Sequence, residues 1–299
     1  MRCVYLGRPR GASALARAGH VVLAAGLDAR VKGAPLGLDV TCPVVYRPDM
    51  TAPSVQRLFA TAGADLLVCY LWDRLLPSSL IEAMPDIIGY HPSLLPRHRG
   101  ADPDFWTIWS GDDNAGISVM TVDSGVDTGR VVAQRRVSVP AGATAGVLAD
   151  LLDPLGLELL LEVVARWERE GPLEGVEQDH GRATEAPAPG DDLLEIDWSR
   201  PAREIAQLVR AAAPHPGAFT SIELDGRPTT LVILAAHEAS LKTAGALEPG
   251  DAVLFEEGVV IWTGEGGLVL DEVQLEGCSY GDGPTFLAIF IEQLFDKNC

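Results

Sequence analysis

The sequence predicts an α/β protein of two domains: a doubly wound, mostly parallel sheet in the N-terminal half and a small antiparallel β-barrel of OB-like type at the C-terminal end. Three observations predict it. Short β-branched or leucine-rich runs alternate with helical stretches through the first half, as in βαβ units with helices on both faces of a sheet. A stretch rich in proline, glycine, alanine and acidic residues, GRATEAPAPGDD from Gly181 to Asp192, carries no periodicity and reads as a linker. Beyond it, short alternating segments are separated by glycine-containing turns, the spacing of a small barrel. A chain of 299 residues accommodates two cores. The expected division is 1–180, a linker over 181–200, and 201–299.

Strands are expected over Arg2 to Gly7, His20 to Gly26, Asp65 to Tyr70 and Asp86 to His91, then Gly116 to Asp123 and Arg130 to Pro140. PSSLIEAM from Pro77 is a plausible helix because a proline suits the first helical turn. PDFWTIWSG from Pro103 reads as a helix that stops at Gly111. The helix starting near Thr144 places Leu157, Leu160, Leu161, Val164 and Trp167 on one stripe, and Pro154 is expected to break or kink it. Ser199 is expected to cap a helix running through Val209, with Ile205, Leu208, Val209 and Ala212 on its buried face. Turns are expected at Asp225-Gly226, Glu257-Gly258 and Gly266-Gly267.

Charge limits the partners. The net charge is -19, and residues 201–299 hold 5 Lys+Arg against 15 Asp+Glu, a net of -10. An acidic surface repels a phosphate backbone, so tRNA and other nucleic acids are not expected partners. No apolar run is long enough to span a membrane, and the N-terminus lacks a secretory signal, so a cytoplasmic address is expected. Five scattered cysteines (Cys3, Cys42, Cys69, Cys278, Cys299) without a C-x-x-C pair read as reduced thiols.

GYHPSLLPRHRG, residues 89–100, follows a strand directly, where ligands bind in open parallel sheets. Pro92 and Pro96 forbid a helix, so His91 and His98 do not form an i, i+4 ligand pair, and a metal site is not expected. On residue types alone His91 either hydrogen-bonds backbone at a buried strand end or belongs to an active site.

HPSLLPRHRG, followed 36 residues after His91 by Asp127 in DSGVDTGRVVAQ, resembles the signature of the folate-dependent formyltransferases that use 10-formyltetrahydrofolate. Leu75-Leu76-Pro77, WTIWSGDDNAGISV and EIDWSRPAREIAQLVRAAAPHPGAF extend the resemblance over nearly the whole chain. It is most similar to the methionyl-tRNA and amino-sugar formyltransferases. The resemblance implies a Rossmann-like, formyltransferase-like N-terminal domain and formyl transfer to an amine, with His91 as general acid/base and Asp127 as its partner. Such a reaction passes through an oxyanion and a protonated amine, so it needs a proton carrier, a carboxylate and oxyanion donors. By the same resemblance Arg74, Leu75 and Leu76, together with Val122, Asp123, Val126 and Asp127, would hold the pterin. Ser93, Arg97 and Arg99 would face the substrate, the arginines suiting either the cofactor's glutamate or a phosphate on the acceptor.

The family pattern has asparagine two residues before the histidine, where this chain has Gly89. Three explanations stand side by side. Another donor (the Tyr90 hydroxyl, the Gly89 backbone or a water) fills the gap, the acceptor supplies it, or formyl transfer has been lost. The expected acceptor is a small-molecule amine, an amino sugar or a specialised-metabolite amine. The alternatives are a folate-binding homologue with lost or altered catalysis, a formyl-folate hydrolase, and last a methionyl-tRNA formyltransferase.

Overall fold

The computed structural model describes residues 1–28, 39–224, 227–240, 247–255 and 258–275. Two compact units divide the chain: residues 1–103, 114–138 and 149–187 form one, and residues 104–113, 139–148 and 188 onward the other. The division falls between Pro187 and Ala188, inside the stretch read as a linker.

The first unit is built on seven strands: β1 (Arg2–Gly7), β2 (Val21–Leu27), β3 (Val44–Tyr46), β4 (Leu66–Tyr70), β5 (Ile87–His91), β6 (Asn114–Thr121) and β7 (Val131–Ser138). They lie in the order β3-β2-β1-β4-β5-β6-β7. β3 through β5 pair in parallel, whereas β5–β6 and β6–β7 are antiparallel. LLVCY in β4 is buried at every position, because a central parallel strand has both faces covered. Gly7, at the end of β1, has φ +138, and a Cβ there would lie 1.9 Å from the Tyr70 carbonyl oxygen, so only glycine fits.

Three short helices follow strands: α1 (Pro9–Arg17), α2 (Pro53–Ala60) and α3 (Ser78–Ala83). Prolines start the first two, where their missing N–H costs nothing. One sheet face packs Val4, Leu6, Leu67 and Ile87 with Phe59, Leu80 and Met84. On the other, the Tyr70 and Tyr90 rings lie 4.9 Å apart.

Beyond α4 (Pro103–Trp109) comes α5 (Ala145–Glu170), which continues through Pro154 instead of breaking there. The buried stripe also differs from the expected one. Leu152, Leu159, Leu160, Val163 and Val164 are buried, and Gly156 faces inward with them, while Leu157, Leu161 and Trp167 are only half-buried. Gly156 decides that orientation, since a Cβ on it would meet the Tyr90 ring at 2.1 Å.

In the second unit, α6 (Asp191–Leu194) and α7 (Ala202–Ala212) precede β8 (Ala218–Leu224), β9 (Arg227–Glu238), β10 (Ala252–Phe255), β11 (Gly258–Trp262) and β12 (Gly267–Leu275). These strands form an antiparallel sheet in the order β10-β11-β12-β9-β8, a curled half-barrel. α7 buries Ile205, Leu208, Val209 and Ala212, as expected. Ser199 does not cap it: Pro201 holds the N-cap position, and the Ser199 hydroxyl donates to Asp197 Oδ1 at 2.6 Å. Gln207 Nε2 donates to the carbonyls of Ile108 and Trp109 at 3.0 and 2.9 Å, satisfying the end of α4. Asp225-Gly226, Glu257, Cys278 and Cys299 lie outside the described residues.

Candidate active site

β5 delivers His91 to the carboxyl end of the sheet, and residues 92–102 leave as a loop fixed by short polar bonds. Ser93 Oγ donates to the Arg97 carbonyl at 2.6 Å, and Ser118 Oγ on β6 donates to the Ser93 carbonyl at 2.6 Å. Gln134 Nε2 on β7 donates to the Leu95 carbonyl at 2.8 Å. The segment 181–187 then runs alongside: His98 N donates to Thr184 Oγ1 at 2.9 Å, Arg99 N to the Thr184 carbonyl at 2.8 Å, and Ala186 N to the Arg99 carbonyl at 2.6 Å. Irregular backbone is thus satisfied by partners from β6, β7 and a distant loop.

His91 Nε2 lies 2.7 Å from the backbone carbonyl oxygen of His98. A carbonyl only accepts, so Nε2 carries the proton. Nδ1 then faces Asp127 Oδ2 at 3.4 Å. That carboxylate oxygen also accepts from Gly100 N at 2.9 Å, and Asp127 itself has φ +51, a left-handed conformation uncommon for a non-glycine residue. The His91 side chain is 5% exposed and that of Asp127 20%, so the carboxylate is the half of the pair that an incoming group reaches.

Gly89 pairs in register with Cys69 on β4 and Met120 on β6. A Cβ built on Gly89 would lie 3.1 Å from Val122 Cγ2 and 3.8 Å from Met120 Cε, so Val122 closes over the glycine. Burial pushes the Cys69 thiol up to about 12, which keeps it neutral and excludes it as a nucleophile at ordinary pH.

The loops after β4 and β6 carry the remaining expected residues. Leu75 is 64% exposed and Val126 50%, while Leu76 is buried in the sheet core. Arg74 stacks over the Trp72 ring at 4.0 Å and donates to the Pro48 carbonyl at 2.8 Å. Its Nη2 and the Trp72 Nε1 are buried without an acceptor among the described residues. Asp123 Oδ1 accepts from Gly125 N at 3.0 Å and from the Thr128 hydroxyl, closing the 123–128 turn.

Two residues expected to face substrate are engaged within the chain. The Ser93 hydroxyl is spent on the Arg97 carbonyl, and Arg97 N donates to the Leu94 carbonyl at 3.1 Å in the same turn. Arg99 donates from Nε and Nη2 to Gln178 Oε1 at 3.0 and 2.7 Å, and Nη1 lies 3.2 Å from His180 Nδ1. Ser93 and Arg99 thus hold the loop through these bonds. Gln178 and Thr184 were not reached from the sequence, because the first precedes and the second lies inside a segment whose composition reads as linker.

The formyl transferase family pattern matches residues 21–164, and the pattern of its C-terminal domain matches residues 191–290. The methionyl-tRNA formyltransferase of Sorangium cellulosum is 34% identical over 293 residues, 93% of each chain. The chain belongs to the formyl transferase family. Another relative, the methionyl-tRNA formyltransferase of Desulfotalea psychrophila, is 36% identical over 81% of this formyl transferase and 72% of its own length. Among solved structures, HypX from Aquifex aeolicus in complex with tetrahydrofolic acid aligns with a TM-score of 0.68 at 18% identity, covering 92% of this chain; this chain spans 44% of HypX. The N-formyltransferase from Helicobacter canadensis, in complex with folinic acid and dTDP-3-aminofucose, aligns with a TM-score of 0.65 at 14% identity over 91% of this chain and 99% of its own. At such identities these two likenesses carry the formyl transferase fold alone.

Proposed function

We propose that this formyl transferase moves a formyl group from 10-formyltetrahydrofolate to the amine of a small molecule, an amino sugar or a specialised-metabolite amine. The loops after β4 and β6 offer residues that fit this donor. Leu75 and Val126 offer exposed apolar side chains for an aromatic heterocycle, and the buried, unpaired donors of Trp72 and Arg74 match a ring bearing acceptor atoms. When bound, formyl-folate supplies the reactive formyl carbon.

His91 and Asp127 supply the proton chemistry. With Nε2–H committed to the His98 carbonyl, the Nδ1 lone pair faces the Asp127 carboxylate, and a proton delivered to the pair can be shared between Nδ1 and Oδ2. Asp127, the more exposed member, takes the proton from the attacking amine as its nitrogen bonds to the formyl carbon. The pair returns that proton to the folate nitrogen as the old carbon–nitrogen bond breaks, so protons balance over the turnover.

The acceptor assignment is carried by charge: residues 201–299 hold a net of -10. Among the described residues of the second unit, Arg200 meets Glu204 at 2.9 Å and Arg203 meets Glu265 at 3.2 Å. Such a surface repels a polyanion and admits a small amine. One observation favours a second reading, transfer to methionyl-tRNA: relatives bearing that name are more than 30% identical over most of the chain. The test offers purified protein 10-formyltetrahydrofolate with either a panel of amino sugars and small amines or methionyl-tRNA, and analyses products by mass spectrometry. A formylated small amine is expected; formylated methionyl-tRNA alone would transfer the assignment to the second reading.

A further inference from the structure

We propose that Gln178 is a positioning residue that sets the Asp127 carboxylate beside His91. It rests on the formyl-transfer reading for its consequence in turnover, although its geometry stands independently. Gln178 is buried, 5% exposed. Its Nε2 donates to the backbone carbonyls of Asp127 and Gly129 at 2.8 and 2.7 Å, and its Oε1 accepts from Nε and Nη2 of Arg99 at 3.0 and 2.7 Å. The orientation of the amide is unambiguous, because a guanidinium only donates and a carbonyl only accepts. Both donors and both acceptor sites are used, which is the full capacity of a glutamine side chain.

This one amide joins the loop that follows His91 to the loop that carries Asp127. Arg99 belongs to the loop that follows His91, and Gly100 next to it donates to Asp127 Oδ2. Asp127 and Gly129 belong to the loop between β6 and β7. At φ +51 the Asp127 backbone sits in a well that a non-glycine residue leaves readily unless held. Gln178 holds its carbonyl and Gly100 its carboxylate. Without the amide, the buried Gly129 carbonyl, the half-buried Asp127 carbonyl and a guanidinium lose partners together, and the natural relaxation withdraws Oδ2 from Nδ1.

The test uses the full chain with Gln178→Ala and with Gln178→Glu, the latter keeping side-chain size and the Arg99 partner while removing both donors. Asp127→Asn serves as reference. Long-range proton–nitrogen spectra read the two ring nitrogens of His91 separately. The expected result is a shift of Nδ1 in the same direction as in Asp127→Asn, with Nε2, still bonded to the His98 carbonyl, unmoved, and no further Nδ1 shift in the double variant. In turnover, kcat falls about 10- to 100-fold while KM for 10-formyltetrahydrofolate is retained. Movement of both nitrogens together, or of neither, would overturn the positioning role. If Nδ1 moves as described but the wild-type protein formylates no amine, the positioning role stands and the formyl-transfer reading fails.

Discussion

His91 donates its Nε2 proton to the His98 carbonyl at 2.7 Å and turns Nδ1 toward Asp127 Oδ2 at 3.4 Å. That relationship leaves one ring nitrogen bonded to backbone and the other facing a carboxylate. Of the residues expected to hold folate, 74–76 and 122–127, Asp127 faces the imidazole, so the rest of the folate site is expected to outlast removal of the ring.

Saturating 5-formyltetrahydrofolate should therefore stabilise wild type and His91→Ala alike. At a hundredfold excess over Kd the gain is about 2.7 kcal/mol, and each kcal/mol moves Tm by about 2–4 °C in a domain of this size. Leu75→Asp, which charges an exposed apolar contact, should reduce the shift. Calorimetry reads all three; equal shifts for wild type and Leu75→Asp would remove the loop from the folate site.

Gly89→Asn tests the amide that the family resemblance leads one to expect at this position. The new Cβ would meet Val122 Cγ2 at 3.1 Å, so Val122 must yield. Overpacking of this kind costs about 1–3 kcal/mol, and the single variant should lose stability without gaining rate. Adding Val122→Ala should recover Tm and raise kcat above that of the single variant, since an oxyanion donor is worth up to roughly 10²- to 10³-fold. A double variant no faster than Gly89→Asn would show that the space beside His91 has no use for an amide.

Gly156→Ala inverts a familiar rule. In an exposed helix this change stabilises by about 1 kcal/mol. Here the methyl would lie 2.1 Å from the Tyr90 ring, which itself packs 4.9 Å from the Tyr70 ring. The Tm should fall, and because Tyr90 adjoins His91, kcat should fall with it. A raised Tm would show that the tyrosines move aside freely.

Much of this site was legible in the sequence. The strand-end place of His91 and the loop imposed by Pro92 and Pro96 follow from residue type, whereas Asp127 as its partner and the interest of Gly89 come from the family resemblance. The partners of irregular backbone were not legible, since no periodicity reports that Gln178 bonds Asp127 or that Thr184 receives His98 N. On α5, Leu160 and Val164 are buried as the patterning expects, while Leu157, Leu161 and Trp167 are half-buried, since size-based patterning gives no weight to a glycine turned inward; Pro154, expected to break or kink the helix, lies within one continuous helix.

Acid should weaken the fold through His20. Burial lowers its proton affinity below the ordinary histidine value, with Glu168, whose Oε2 lies 3.6 Å from Nδ1, opposing the effect. The unfolded chain therefore binds a proton more readily than the native one. The stabilisation is fully present above the ordinary value of about 6.5 and is lost as pH falls toward the lower native value. Between pH 7.5 and 5 the Tm of His20→Gln should fall less than that of wild type; equal slopes would absolve His20.

The most direct measurement is the initial rate of formyl transfer from saturating 10-formyltetrahydrofolate to a small amine, compared for wild type, His91→Ala and Asp127→Asn. The account predicts formylated amine from wild type and rates lower by about 10²- to 10⁴-fold in both variants, with folate still bound. Equal rates in all three proteins, or no formylated amine from wild type, would contradict it.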